Sequence, residues 1–521
     1  MNPQGAGTPL QTIPTKKRLA LNVVMNWAGT AVNMVVPFFL TPFVVRHLGV
    51  LAYGVWVVSV STVSYLNLLD MGMRSAVIRY VSKAQATGQM EDARRAVHAA
   101  LWFRLLISSG VALLSIALAW LAPHLFKIPA DLARAAQVTM LLCGLGVAVT
   151  LTSGVFGAVL AAINRFDVLS TIAMIQTVVR AGGVLLILMS GRGLISLACW
   201  ELTVLTISAV AVTTCAVTIF PHSRVRPGKP DTTVMRMIWS YSFTTFIFMI
   251  AVQIITNTDS LVIGAFLSVG MVTFFAIGSS LISYGSQVST ALSTTFTPIA
   301  SGLEASGRMD DLRRMLIQGT QATLALSLPI MVGLLFRGGT FIRLWMGPEY
   351  EVISEKVVWI LSLSMFFGIA DATAASIMMA IEKHKSMTRW AVFEAFFNLG
   401  LSIVLVKKVG LYGVAWGTSI SMVITHVCFW PREVKKRLGV EPMKYVWEGW
   451  SKPVLCVVPF AILCALEDRY LHPVHLVTFF VQIAAALPLY GLCAGLLFRS
   501  HAQALFQRWR ARRRPLASTA S

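Results

Sequence analysis

Apolar residues in this chain fall in long runs rather than in alternation. With roughly 20 mostly apolar residues as the length of one membrane crossing, runs appear at 19–45, 51–73, 97–121, 136–162, 167–190 and 194–219. The segment PHSRVRPGKPDTTVMR (Pro221 to Arg236) follows, and its three prolines mark a connector rather than a helix. A second set falls at 237–264, 270–294, 316–338, 356–381, 386–406 and 412–431, with two more runs at 452–466 and 472–497. Inside lipid every backbone group must be satisfied by its own segment, so runs of this length predict helices. A transmembrane β-barrel needs alternating segments of about ten residues, a pattern not seen here. The expected fold is an all-α integral membrane protein with about 14 transmembrane helices.

The polar segments between the runs carry a repeat. TGQMEDARR (87–95) matches SGRMDDLRR (306–314) with five identities in nine. Ala162-Ile163 pairs with Ala380-Ile381, Gly193-Leu194 with Gly410-Leu411, and Trp200 with Trp416. The order is kept and the offset drifts only from 219 to 216, as small insertions in duplicated halves would produce. Six spans separate equivalent positions, so the halves share one orientation and relate by an axis along the membrane normal. The expected organisation is a tail (1–18), an N-terminal six-helix lobe (19–220), a linker (221–236) and a C-terminal six-helix lobe (237–432). Two additional helices with a basic loop (433–498) and a basic tail (499–521) complete it. Alternating-access transporters share this arrangement, with substrate between the halves.

Composition agrees with the pattern: 56% hydrophobic against 12% charged residues, where soluble domains run near a quarter charged. The net charge of +21 raises nucleic acid as a partner, but the cations are spread among loops between apolar runs. They read instead as topology. With the N-terminus in the cytoplasm, 31 of the 43 Lys and Arg fall on the cytoplasmic side and 10 outside, which puts both termini inside. Basic loops also suit anionic membrane lipids. The start resembles a signal anchor rather than a cleaved signal peptide. The seven cysteines all lie in apolar runs without metal-ligand spacing and read as small buried hydrophobes.

Three stretches carry a family resemblance: FFLTPFVVRHLGVLAYGVWVV (38–58), LLDMGMRSAVIRYVS (68–82) and GLYGVAWGTSIS (410–421). Over residues 19 to 500 the chain resembles the polysaccharide-transporter branch, with its O-antigen-type flippases, of the multidrug/oligosaccharidyl-lipid/polysaccharide exporter superfamily. The resemblance implies two lobes around a cavity, rocking between inward- and outward-open states. It implies a lipid-linked (prenyl-diphosphate) glycan as substrate and residence in a bacterial cytoplasmic (inner) membrane. It also admits polysaccharide-assembly proteins as partners, and it implies a transporter rather than an enzyme.

Such a substrate needs fixed cations, and ionisable groups within spans are the residues to examine because lipid makes them costly. Arg180 lies well inside span five, where a guanidinium suits bidentate phosphate recognition; the alternative is a structural pair with Glu201. Arg74 and Arg79 sit at the cytoplasmic end of span two as a cationic entry, although Asp70 and Arg74 at i, i+4 form a local pair on one helix face. Arg104 in span three serves the same entry or snorkels to headgroups. Asn257 and Asp259, in ITNTDS, suggest a polar cavity face in span seven. Asp371 and Glu394 are further intramembrane acids. Two readings stay open for the acids: they hold a coupling H+ or Na+, or they neutralise Arg180 or Arg389. No cofactor or metal site is expected.

Three other functions compete. A cation-coupled multidrug antiporter of the same superfamily usually has about 12 spans, fewer than counted here. A membrane glycosyltransferase or polymerase needs a large extramembrane loop, and neither that nor a D-x-D motif occurs. A non-transporting scaffold does not require charges buried in both lobes. A phosphate-binding GxxxxGK[ST] loop is missing as well, so ATP hydrolysis by that device is excluded.

Overall fold

The computed structural model describes residues 16–70, 72–224, 232–381 and 384–497. The polar N-terminal segment, residues 225–231 of the central linker and the basic C-terminal tail lie outside the described residues. Among the described residues the regular structure is helical throughout, with 13 stretches long and apolar enough to cross a membrane. The protein is therefore a multi-pass α-helical membrane protein.

Two compact units divide the chain. One runs to Thr273 and includes Ala391–Leu399; the other comprises Phe274–Trp390 and the residues from Gly400 onward. The first unit holds α1 (Lys16–Ser64), α2 (Met73–Thr87), α3 (Met90–Leu125), α4 (Ala130–Ala162), α5 (Phe166–Met189), α6 (Leu194–Ile219) and α7 (Thr232–Phe266). Thus α7, expected to open the second lobe, clusters with the first unit.

The turn expected between the first two spans falls at Gly49, whose φ of 79° and ψ of 166° interrupt α1. Glycine adopts positive φ without the Cβ penalty that other residues meet there. Pro37 and Pro42 both sit inside the first piece of α1, and the non-helical residue is Gly49. Span two does not run on to 73 as an α-helix. It tightens into a 3-10 helix over Tyr65–Asp70, and left-handed Gly72 (φ 71°) then starts α2 afresh.

Small side chains bring α2, α3 and α4 together. Ala76, Ala84, Ala93, Ala100, Ala158 and Ala162 belong to one buried cluster. Lipid offers no hydrophobic drive between helices, so close approach over small residues supplies the van der Waals contact that holds them. Gly144 shows the same economy: a methyl group there would overlap the Ser115 side chain of α3.

The second unit contains most of α8 (Val269–Ser293), then α9 (Phe296–Ala305), α10 (Met309–Trp345), α11 (Pro348–Ala380) and α12 (His384–Val409), whose residues 391–399 cluster with the first unit. It continues with α13 (Leu411–Cys428), α14 (Trp430–Leu438), α15 (Pro442–Tyr470) and α16 (Leu476–Leu497). The helix expected at 452–466 begins ten residues earlier, at Pro442, and packs along α10. Trp120 and Trp447 are exposed, whereas Trp345 is buried and stacks on Phe341.

The paired sequence landmarks occupy matching helix ends. Gly88 (φ 74°) and Gly307 (φ 69°) are left-handed residues two positions before α3 and α10. Each of those helices opens with acids in its first turn, Glu91 and Asp92 in one and Asp310 and Asp311 in the other, where the helix dipole favours negative charge. Ala162 and Ala380 end α4 and α11, and Leu194 and Leu411 begin α6 and α13.

Candidate functional site

A cavity of about 480 Å³ opens within the first unit between α1, α4, α5 and α6. That volume is in the range of small-molecule sites. Valine, leucine and proline form much of its wall, and Tyr53, Trp56, Asn67, Thr150, Arg180 and Glu201 supply its polar and aromatic character.

The α5–α6 hairpin positions the two charges. The chain reverses at Ser190–Gly193, with Gly191 at φ 71°, and returns antiparallel. Trp200 Nε1 donates to the Arg180 carbonyl oxygen at 3.2 Å, and the Trp200 ring lies against Gly183, where a Cβ would overlap it. Ser208 Oγ donates to Gln176 Oε1 at 2.8 Å further along the hairpin. Arg180 Nη2 meets Glu201 Oε1 at 2.7 Å.

The pair is open to the cavity, with Arg180 37% and Glu201 19% exposed. Arg180 Nε is buried and has no hydrogen-bond partner. A guanidinium carries five donors in a planar fork, so this one keeps capacity for a second acceptor. Chemically, the site is a low-dielectric pocket holding one cation that can exchange an internal carboxylate for an external anion.

The other sequence-selected residues fall elsewhere. Asp70 does not pair with Arg74; its carboxylate binds Arg104 of α3. Arg74 and Asp70 belong to different helices, separated by left-handed Gly72, so the i, i+4 geometry of a single helix does not apply. Arg104 is 2% exposed and does not snorkel. Arg74 and Arg79 are both exposed on α2. Asn257 Nδ2 donates to its neighbour Thr256 Oγ1 at 2.9 Å. Asp259 is buried next to Thr258, whose hydroxyl shares a 2.5 Å hydrogen bond with Tyr65.

Asp371, in the second unit, neutralises neither Arg180 nor Arg389. It is fully buried, with His426 Nδ1 at 2.9 Å from one carboxylate oxygen and the Tyr445 hydroxyl donating to the other at 2.9 Å. Glu394 is buried in α12. Sequence reasoning missed Arg337 of α10, which is completely buried, donates to Glu467 Oε2 at 2.7 Å and to Gln482 Oε1 at 2.8 Å, and stacks on Phe479. An arginine within the run GLLFRGGTF was the available signal. Cys199 is exposed rather than buried, while Cys143, Cys456 and Cys464 are buried. Among the described residues no cluster of three or more His, Cys, Asp or Glu stands ready for a metal ion.

The family described as "Polysaccharide biosynthesis protein" matches residues 43–355. An uncharacterized membrane protein EpsK of Bacillus subtilis is 22% identical over 436 residues, 81% of this chain and 84% of that protein. A probable flippase AglR of Haloferax volcanii is 22% identical over 451 residues, 86% and 90% of the two chains. Among solved structures, the Lipid II flippase MurJ in an inward closed conformation superposes with a TM-score of 0.73 at 17% identity, covering 93% of this chain and all of that one.

Proposed function

Because this chain belongs to the polysaccharide biosynthesis protein family and is a membrane transporter rather than an enzyme, we propose that it flips a lipid-linked, prenyl-diphosphate oligosaccharide across the membrane. The observation that carries the reading is the half-used Arg180 guanidinium at the wall of a cavity. A polar glycan and a diphosphate cannot cross hydrocarbon unaided, since each unsatisfied polar group there costs several kcal/mol. The diphosphate accepts hydrogen bonds from the Arg180 guanidinium, which is 37% exposed. The phosphate competes with Glu201, so binding is exchange of one anion for another and remains reversible.

Several finer features belong to this reading. Two six-helix lobes, 19–220 and 237–432, relate by the parallel repeat, and the matching helix ends support that relation. Both termini face the cytoplasm of a bacterium, supported by the 31-to-10 distribution of basic residues. Transport couples to H+ or Na+ through a buried acid; Asp371 is the strongest member, because it is held by an ionisable histidine and a tyrosine rather than by a permanent cation. Other polysaccharide-assembly proteins act before and after it.

The test is export in cells carrying Arg180→Ala, Arg180→Lys, or Arg180→Ala with Glu201→Gln. The last variant removes the carboxylate that the first leaves without its cation, and so separates loss of the site from misfolding. All three are expected to insert normally and to accumulate prenyl-diphosphate glycan on the cytoplasmic side, with Lys retaining part of the activity. Normal export by the doubly neutral variant sinks the assignment. Altered drug sensitivity with unchanged lipid-linked intermediates identifies a multidrug antiporter instead.

A further inference from the structure

The nine-residue helix α14, WPREVKKRL, is amphipathic in an unusual sense. Its apolar positions Trp430, Val434 and Leu438, spaced i, i+4, i+8, are all buried in a cluster with Phe429, Tyr445 and Met378. Glu433 is turned inward as well, where Ser386 Oγ donates to it at 2.7 Å and Arg437 Nε at 3.2 Å. The helix is pinned at its end by Arg313 Nε, which donates to the Leu438 carbonyl at 2.6 Å.

An in-plane membrane helix spends its apolar face on lipid; α14 spends that face on the protein. What it presents outward is cationic. Arg432, Lys435 and Lys436 are exposed, and their i, i+3, i+4 spacing puts them on one side. Lys435 also meets Glu441 at 3.1 Å, but both are more than half exposed, and such a pair is weak. Between Trp430 and Lys444 five cations stand against two acids. By contrast, Arg308, Arg313 and Arg314 at the start of α10 are answered locally by Asp310 and Asp311.

A second observation fixes the kind of partner. The helix lies where the chain leaves one membrane-length stretch, which ends at Leu438, and enters the next at Pro442. In the first turns of α15, Met443 (77% exposed) and Trp447 (71% exposed) occupy one face at i, i+4. Exposed tryptophan at a helix end belongs at the level of lipid headgroups. A cationic face beside an exposed apolar pair suits a lipid with an anionic head and a hydrocarbon boundary; a soluble polyanion would leave Met443 and Trp447 in water.

We infer that α14 and the first turns of α15 form a binding surface for anionic phospholipid headgroups. Arg432, Lys435 and Lys436 take the phosphate, and Met443 and Trp447 enter the acyl boundary. The inference rests on the chain's spanning a membrane and is independent of what it transports.

The experiment uses the full chain in nanodiscs of phosphatidylcholine mixed with phosphatidylglycerol, with lipids retained on purification counted by native mass spectrometry. Each cation at a membrane surface contributes about fivefold in binding. Wild-type protein is expected to enrich phosphatidylglycerol at least about tenfold over the bulk ratio, and the triple variant R432Q/K435Q/K436Q to return to that ratio. Raised salt should mimic the triple variant, because exposed charges are screened. Trp447→Ala should lower total lipid retained without changing the ratio. These side chains are exposed, so the variants fold. The inference is overturned if the triple variant retains the wild-type ratio. It is overturned equally if a short-chain prenyl diphosphate or an RNA, and not phosphatidylglycerol, is the ligand lost in the triple variant.

Discussion

Removing Asp70 should destabilise the protein more than removing Arg104, although the two form one ion pair. Arg104 is 2% exposed and Asp70 is 25% exposed. Truncating Asp70 to alanine leaves a permanent charge in the helix core, and stranding one member of a buried pair costs about 3–5 kcal/mol. The buried Arg104 Nε and Nη1 have no hydrogen-bond partner of their own, so nothing else compensates. Arg104→Met instead leaves a carboxylate that reaches water over a quarter of its surface, a loss of about 1–3 kcal/mol. The double variant D70A/R104M removes both charges and fills the space with an apolar chain, which is often close to neutral.

A double-mutant cycle on the full chain in mixed micelles, read by reversible detergent-induced unfolding, measures this directly. With the double variant near neutral, the coupling energy equals the sum of the two single losses, about 4–8 kcal/mol, above the roughly 0.5–3 kcal/mol usual for contacting residues. Arg74→Gln serves as the control, because Arg74 is exposed on α2; surface changes of this kind stay within about 0.5 kcal/mol. The reasoning fails if Arg74→Gln costs as much as Arg104→Met, or if the double variant is as unstable as Asp70→Ala alone.

Two further changes probe how the helices are held. Gly183→Val would drive a side chain into the Trp200 ring. Overpacking should cost about 1–3 kcal/mol and shift the bond from Trp200 to the Arg180 carbonyl, so unfolding should ease and export fall together; full export would free Arg180 from dependence on the hairpin. In the second unit, Arg337→Leu strands Glu467, which is 8% exposed, and should cost about 3–5 kcal/mol. R337M/E467M should recover most of that loss in the same unfolding assay, and a double variant no better than the single one would show that Gln482 and Phe479, rather than the ion pair, do the holding.

Helices were readable because lipid leaves the chain few alternatives. Runs of about 20 apolar residues must satisfy their own backbone, and helices occupy most of each predicted run, with 13 membrane-length stretches among the described residues against about 14 expected. Local punctuation was readable for the same reason. Thr87-Gly88-Gln89 and Ser306-Gly307-Arg308 each place glycine at positive φ and then open a helix with acids. Helix ends were less so. The apolar run of span two extends to 73, and nothing in its hydropathy marks the 3-10 stretch at Tyr65–Asp70.

That hidden break explains why one charge partner was misread and another was not. Arg180 and Glu201 stand at comparable distances on either side of the turn at Ser190–Gly193. Two antiparallel helices joined by a short turn bring such positions face to face, so naming the hairpin names the pair. Asp70 and Arg74 looked closer still, but a rule about one helix face holds only while the helix is continuous, and Gly72 ends that continuity. Asp70 then takes Arg104, from a helix whose position beside it is set by alanine packing in α2, α3 and α4. His426 and Tyr445 are farther still from Asp371 along the chain, and their meeting depends on how α11, α13 and α15 pack. A buried charge in a membrane helix therefore announces that it has a partner, since lipid makes isolation costly. Only the nearest turn lets sequence say which partner it is.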